Sequence, residues 1–424
     1  MKKIISLDFI IIFIGGFLFL MSWPSATILH FLLFFCASVF YFWVDYRRGS
    51  LFQKQLALFI VIFVVLGTAF VTEISARRHD DSIFVHDNVL QVESAAQILW
   101  QGRNPYAENY FGTELEKFSY ISTVSGQLML NPALFHCIKL PFHLLFSVPF
   151  YLLFNNLWQF FDERLVYLIL FIISLFALYQ LPKRTESKFA LAAAYAFNPL
   201  FSRFFLEGRD DVFVLAWLIL TFYLLQKEKL FWSAVALAIA CASKHSAWFF
   251  VPFYYAYLYF KLGAKTSEPM LGFCRRIKTV LRLAWPLPVL FILIIMPFVV
   301  WDPLAFFQDI YAYPAGTLST SFPINGYGWS VVLYELGLVK NITDYVPLWL
   351  VQIPITIALY YFLIKNQRRR NSLAYSILDY AVLIFVYWFF SRFFHDNYVG
   401  FVSQLFIIAY FLADDSTGGK LSYV

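Results

Sequence analysis

Charge is scarce in this sequence: only 14% of its 424 residues are Asp, Glu, Lys or Arg, against 61% hydrophobic and 21% aromatic. Soluble domains carry roughly 25% charged residues, and with a mean hydropathy of +0.68 the chain takes the bilayer as its solvent. Cysteine is scarce too. Cys36, Cys137, Cys241 and Cys274 lie far apart with no CxxC spacing, which excludes a disulfide framework or a zinc ribbon. No HExxH, DxD, P-loop or GxGxxG stands at a convincing place, and neither internal repeats nor low-complexity segments are present.

What is present is a succession of apolar runs. They fall near residues 8–22, 27–44, 57–74, 165–181, 189–206, 212–226, 231–243, 246–260, 283–300, 346–364, 376–391 and 398–413. A helix of about 20 residues crosses the roughly 30 Å hydrocarbon layer, so the expected fold is all-α, a polytopic bundle of about twelve transmembrane helices. The apolar stretch 128–154 is interrupted by Pro132, Pro141 and Pro149 and reads as short re-entrant or interfacial helices. With the N-terminus inside, 21 of the 32 Lys and Arg residues fall on interior pieces. By the positive-inside rule both termini are then cytoplasmic. Met21-Ser22-Trp23-Pro24 is not a small-residue cleavage site, so the first apolar run is expected to remain as a helix.

The exterior pieces are the loop 75–127, short turns at 206–211 and 243–246, the loop 301–345 and the segment 391–397. Nearly all the unusual polar residues are there. A channel or proton-coupled transporter more often places acids and bases at mid-membrane. The segment 86–101 reads as an amphipathic helix, with Val89, Val92, Ala96 and Leu99 along one side, and Gly102 with Asn104-Pro105 as its stop. Asp87 stands at its start, either as the helix N-cap or as a reactive carboxylate; Asp80 and Asp81 are rivals for the second role.

Asp87, Ala95-Ala96 and Gly102-Arg103-Asn104-Pro105-Tyr106 together resemble the first exterior loop of the GT-C glycosyltransferases, particularly the branch that uses polyprenyl-phosphate-mannose. Leu130-Asn131-Pro132-Ala133-Leu134, Asn198-Pro199-Leu200 with Glu207-Gly208-Arg209-Asp210-Asp211, and Ala242-Ser243-Lys244 follow in the family's order. The resemblance covers residues 57–400; Gln91 stands where an aromatic is expected. It implies three parts: two additional helices over 1–56, a GT-C-like catalytic module over 57–345 with loops 75–127 and 301–345, and C-terminal helices over 346–424 ending in a short cytoplasmic tail.

The resemblance also implies chemistry: transfer of a hexose, mannose first among candidates, from a polyprenyl monophosphate to a glycan or lipid acceptor on the non-cytoplasmic face of a bacterial cytoplasmic membrane. The base would be Asp87, or Asp80 or Asp81 if the register has slipped, its basicity raised by any apolar wall beside it. Candidates for the donor phosphate are Arg209, Lys244, His245, Arg392 and His395, because each sits near an exterior helix end. Plainer readings stand beside these. Arg209 could pair with Glu207 or Asp210, Asp210 or Asp211 could cap the next helix, and Lys244 could snorkel to the interface. Substrate contacts are expected from Glu207, Asp210, Asp211 and Asp396, and from Tyr327 and Trp329, on whose faces a sugar ring could lie unless they merely belong to an aromatic belt. A nucleotide-sugar donor is not indicated. No metal or other cofactor is expected, although Asp80, Asp81, Asp210 and Asp211 could hold one. The expected partners are the lipid-linked donor, the acceptor and membrane lipids, not nucleic acid. A transporter or flippase of lipid-linked saccharides is the alternative, and an inactive scaffold a third reading.

Overall fold

The computed structural model describes residues 5–79, 84–263 and 271–417; Asp80 and Asp81 lie outside the described residues. The chain is all-α, and β structure among the described residues is confined to four two-residue strands. Among the described residues three helices are long and apolar enough to cross a bilayer: Ile28–Tyr46, Leu51–Arg78 and the Asp396–Ala413 part of the last helix. A fourth crossing is added if Gly272–Ala284 and Pro286–Trp301, bent by 47° at their junction, form one span. Leu7–Ser22, Arg164–Tyr179, Asp211–Gln226, Leu230–Ser243 and Leu373–Phe389 are apolar but shorter. At a rise of about 1.5 Å per residue, a helix of some 16 residues reaches only about 24 Å. Apolar runs therefore overcount membrane-length helices.

Local chemistry explains the breaks. The run 189–206 divides into Thr185–Ala196 and Ser202–Glu207, because Pro199 has no N–H and Asn198 Oδ1 accepts the Leu200 N–H at 3.1 Å. The run 246–260 opens as a 3₁₀ turn, His245–Phe250, before Val251–Gly263. Within 128–154 a short 3₁₀ turn, Pro132–Leu134, precedes an 18-residue helix, Pro141–Trp158, that carries Pro149 inside it. Asp87–Trp100 is the expected amphipathic helix. Gly102, at φ +74°, ends it as expected, with the Arg103 N–H on the Ile98 carbonyl at 3.1 Å.

The core lies where Arg164–Tyr179, Thr185–Ala196, Asp211–Gln226, Leu230–Ser243, Leu373–Phe389 and the last helix meet. The two N-terminal helices are tied to the Leu51–Arg78 helix and, through the first of them, to the segment after Thr185–Ala196. At one end Lys54 bridges Asp8 and Asp45 at 2.7 and 2.6 Å, and Tyr41 donates to Asp8. Midway along the first helix, a Cβ at Gly15 would fall 2.4 Å from the Phe197 carbonyl oxygen, so only glycine admits that approach. At the start of the Asp87–Trp100 helix's neighbours, Arg77 joins Glu93 at 2.6 Å, Asp162 at 2.9 Å and Glu114 at 2.9 Å, and Asp162 in turn binds Arg164 at 2.8 Å. This buried cluster fixes the helix that begins with Asp87.

Candidate functional site

His86, not Asp87, occupies the N-cap position. Asp87 is the first helical residue, and its carboxylate faces side chains instead, Oδ1 lying 2.7 Å from His86 Nδ1 and Oδ2 accepting from Asn131 Nδ2 at 3.1 Å. The capping alternative for Asp87 is thereby corrected. The expectation of raised basicity is corrected as well. Burial alone pushes the carboxyl up, but the His86 charge and hydrogen bond, then Asn131 and Lys139, outweigh it and hold Asp87 well below the usual carboxylate range.

Lys139 was missed among the sequence candidates because it lies in the proline-interrupted apolar stretch. A lone ammonium among apolar residues was the available signal. Its side chain is only 4% exposed and reaches Asp210 Oδ2 at 2.7 Å and the Asn88 side-chain oxygen. On the other side of Asp210, Lys244 Nζ lies 2.7 Å from Oδ1 and 2.6 Å from Asp211 Oδ1, and Asn397 donates to the second oxygen of Asp211. Two lysines and two aspartates thus alternate along one chain of contacts, closed by Asn88 and Asn397. Burial pushes the Asp210 carboxyl up, yet the two ammonium groups hold it well below its ordinary value, and both aspartates in return raise Lys244.

Asp210 stands at the N-cap position before Asp211–Gln226 but its side chain makes no capping bond. Capping as the role of its carboxylate is therefore excluded, and snorkelling of Lys244 likewise, since its ammonium turns to two carboxylates rather than to the membrane interface. Arg209 does pair with Glu207, at 3.3 Å, and also touches Asp396 at 3.3 Å and Asn397 Oδ1 at 2.7 Å. The backbone closes the arrangement, His86 N–H donating to the Glu207 carbonyl at 2.8 Å. Gly208 permits this closeness: at φ +91° a Cβ would lie 2.2 Å from a Val89 methyl.

His395 sits beside these groups with its ring 5.7 Å from that of Tyr398, over which Lys244 lies at 5.9 Å. Burial, then Arg209 and His86, bring its pKa down to about 3, so the ring is neutral at physiological pH. His245, at the turn after Lys244, is similarly lowered to about 4 by burial and by Lys244, and its ring lies 4.8 Å from Trp248.

Three candidates stand apart from the lysine–aspartate chain. Arg392 gives its donors to the carbonyls of Phe322, Asp344 and Ile342 at 2.6, 2.7 and 3.1 Å, clamping the loop 301–345. Burial lowers it to about 10, with Asp344 opposing. Tyr327 is 65% exposed, and Trp329 lies 6.2 Å from Phe390. Their loop is stitched to the His395 segment by the parallel pairing of Asn325–Gly326 with Phe393–Phe394 and by Tyr327 N–H on the Phe394 carbonyl at 2.8 Å. Gln91, out of pattern in the sequence, donates to the Ala133 and His136 carbonyls at 3.0 and 2.8 Å, tying the helix to the Asn131 turn.

Among the described residues no three His, Cys, Asp or Glu side chains assemble as a metal-ligand set. An apolar groove of about 370 Å³ lies between the Pro141–Trp158, Leu230–Ser243 and Pro286–Trp301 helices, lined by Phe142, Leu145, Phe146, Pro149, Ile239 and Leu290. Two of these helices adjoin the charged chain in sequence: Lys139 precedes Pro141–Trp158 by two positions and Lys244 directly follows Leu230–Ser243. Comparison with known proteins finds no matching family model and no matching curated relative.

Proposed function

We propose that this chain is a membrane glycosyltransferase of GT-C type, moving a hexose, mannose in our reading, from a polyprenyl monophosphate to a glycan or lipid hydroxyl at the non-cytoplasmic face. The observation that carries the reading is the convergence of Asp87, Arg209, Lys244 and His395, from four separated segments, into one polar cluster. A lipid-linked donor has two unlike ends, and the chain offers cationic groups in this cluster and an apolar groove on the helices that adjoin Lys139 and Lys244. The side chains of Lys244 and Arg209 retain 22% and 19% exposure, whereas Lys139 retains 4%, so the first two meet the phosphate and the third braces Asp210 from behind. Asp87, held ionised, accepts the proton of the attacking hydroxyl as the sugar's anomeric carbon leaves the phosphate oxygen. Arg392 is left out of this scheme because it is only 4% exposed and faces the loop carbonyls, apart from the lysine–aspartate chain.

The same proposal includes the placement of about twelve apolar segments at membrane depth, the shorter ones tilting little and sitting among longer neighbours. Exterior placement of 75–127 is tested by a cysteine at the exposed Ser119, which should react with an impermeant maleimide in intact cells. The activity is tested by incubating purified protein in detergent with radiolabelled polyprenyl-phosphate mannose and a glycan acceptor. Transfer in the absence of any gradient supports the enzyme. Movement of the intact donor across proteoliposomes without transfer would instead establish the flippase.

A further inference from the structure

We infer that the Leu271–Ala284 helix is a docking surface for acidic phospholipid headgroups, lying flat in the membrane interface. The inference rests on the membrane reading of the chain and is independent of glycosyl transfer. The sequence Leu-Gly-Phe-Cys-Arg-Arg-Ile-Lys-Thr-Val-Leu-Arg-Leu-Ala contains four basic residues and no carboxylate. Its faces have three different fates. Val280 and Ala284 pack inward at 5% and 1% exposure, and Arg276 lies over Gly263 at the end of the Val251–Gly263 helix. Phe273, Ile277 and Leu281, four positions apart, remain 53%, 38% and 55% exposed, and Trp285 continues that stripe at 50%. Arg275, Lys278 and Arg282 are exposed on the side away from the packed face, and none of the three is paired with a carboxylate among the described residues.

A stripe of Phe, Ile, Leu and Trp beside a purely cationic face is the composition of a helix that sinks its apolar edge to the acyl boundary and holds its charges among headgroups. The chain's course agrees. At Trp285 it turns by 47° into Pro286–Trp301, an apolar helix, so Leu271–Ala284 does not continue that helix's axis. A second copy pairing through this helix would bring like charges together, and a soluble acidic peptide would meet the cations but leave the stripe uncovered. Each basic residue near an anionic leaflet strengthens association about fivefold, so three together produce a marked preference for acidic over zwitterionic lipid.

Cys274 is an exposed native probe between the apolar stripe and the basic face, and Cys137 and Cys241 are buried. The full-length Cys36→Ser protein, labelled with bimane at Cys274, is reconstituted in nanodiscs of phosphatidylcholine containing brominated phosphatidylglycerol or brominated phosphatidylcholine. Expected is quenching by both lipids, with phosphatidylglycerol favoured by about tenfold or more. That preference should fall toward parity in Arg275→Gln/Lys278→Gln/Arg282→Gln and, in the unsubstituted protein, at high salt, which guards against a misfolded variant. Equal quenching by the two lipids would overturn the headgroup assignment. Absence of quenching by either would take the helix off the membrane and leave a protein partner. Displacement of phosphatidylglycerol by millimolar inorganic phosphate would reassign the basic face to free phosphate.

Discussion

Lys139 Nζ stands 2.7 Å from Asp210 Oδ2, joining residues 71 positions apart in a contact almost sealed from solvent. Through it the turn after the first exterior loop is locked to the Arg209-Asp210-Asp211 turn, and Lys244 completes the charge balance from a third segment.

Removing one partner of a buried ion pair costs about 3 to 5 kcal/mol where the other is left uncompensated, and less for Lys139 because Lys244 stays 2.7 Å from Asp210. Lys139→Met should therefore lower the thermal midpoint in detergent. Lys139→Met combined with Asp210→Asn should recover part of the loss, since one ammonium then faces one carboxylate, Lys244 with Asp211, instead of two. Additive losses in that double-mutant cycle would show that the pair is not energetically coupled.

Asp87→Asn separates the reactive reading from simple scaffolding. Asparagine keeps the Asn131 contact within reach but takes no proton, so transfer should fall roughly 10²- to 10⁴-fold with protein level unchanged. Asp80→Asn and Asp81→Asn serve as controls. Full transfer by all three variants removes base catalysis from this loop. A pH signature accompanies it. The folded pKa of Asp87 is depressed, so its stabilising contribution is complete above the ordinary carboxylate pKa and drains away as pH falls through and below it. Asp87→Asn should flatten that acid limb in pH-dependent melting.

His395 titrates the other way in origin but gives the same slope. Its pKa falls from 6.5 to about 3 on folding, so between these values the unfolded chain binds a proton that the folded chain does not. Stability should decline as pH drops below about 6.5. His395→Gln should reduce the decline over this window, measured by thermal midpoints from pH 7 to pH 4. An unchanged slope would place the responsible groups elsewhere.

Lys244→Gln should reduce kcat/KM with the polyprenyl-phosphate donor by roughly 10²- to 10³-fold, the usual consequence of deleting one donor to developing charge. Arg209→Gln should act in the same direction. Equal turnover by both variants and the parent would move the phosphate site out of this cluster.

Arg392→Lys retains the charge and loses the fork that serves three carbonyls. Donor use should be affected only through the loop: hydrogen exchange at residues 322–344 should rise, and limited proteolysis should cut the 301–345 loop first. Gly316→Ala should do the same, because a Cβ there would lie 2.5 Å from the Arg392 guanidinium at φ +83°. Protection as in the parent for both variants would show that the clamp does not hold the loop.

Composition determined that the chain is unusually apolar, and the length of its apolar runs that it is helical. Periodicity located Asp87–Trp100, and Gly102 marked its end, because cap and stop are written in a few adjacent residues. The motif positions also placed Asp87, Arg209, Asp210, Asp211, Lys244 and His395 among the candidates. Their partners were beyond reach. That His86 rather than Asp87 occupies the N-cap position, that Lys139 belongs with Asp210, and that Arg392 holds carbonyls are facts of long-range packing, in which a side chain's role depends on what folds against it. Helix length was likewise decided in three dimensions: hydropathy does not register Asn198-Pro199 or the 3₁₀ turn after Lys244 as ends, but backbone hydrogen bonding does.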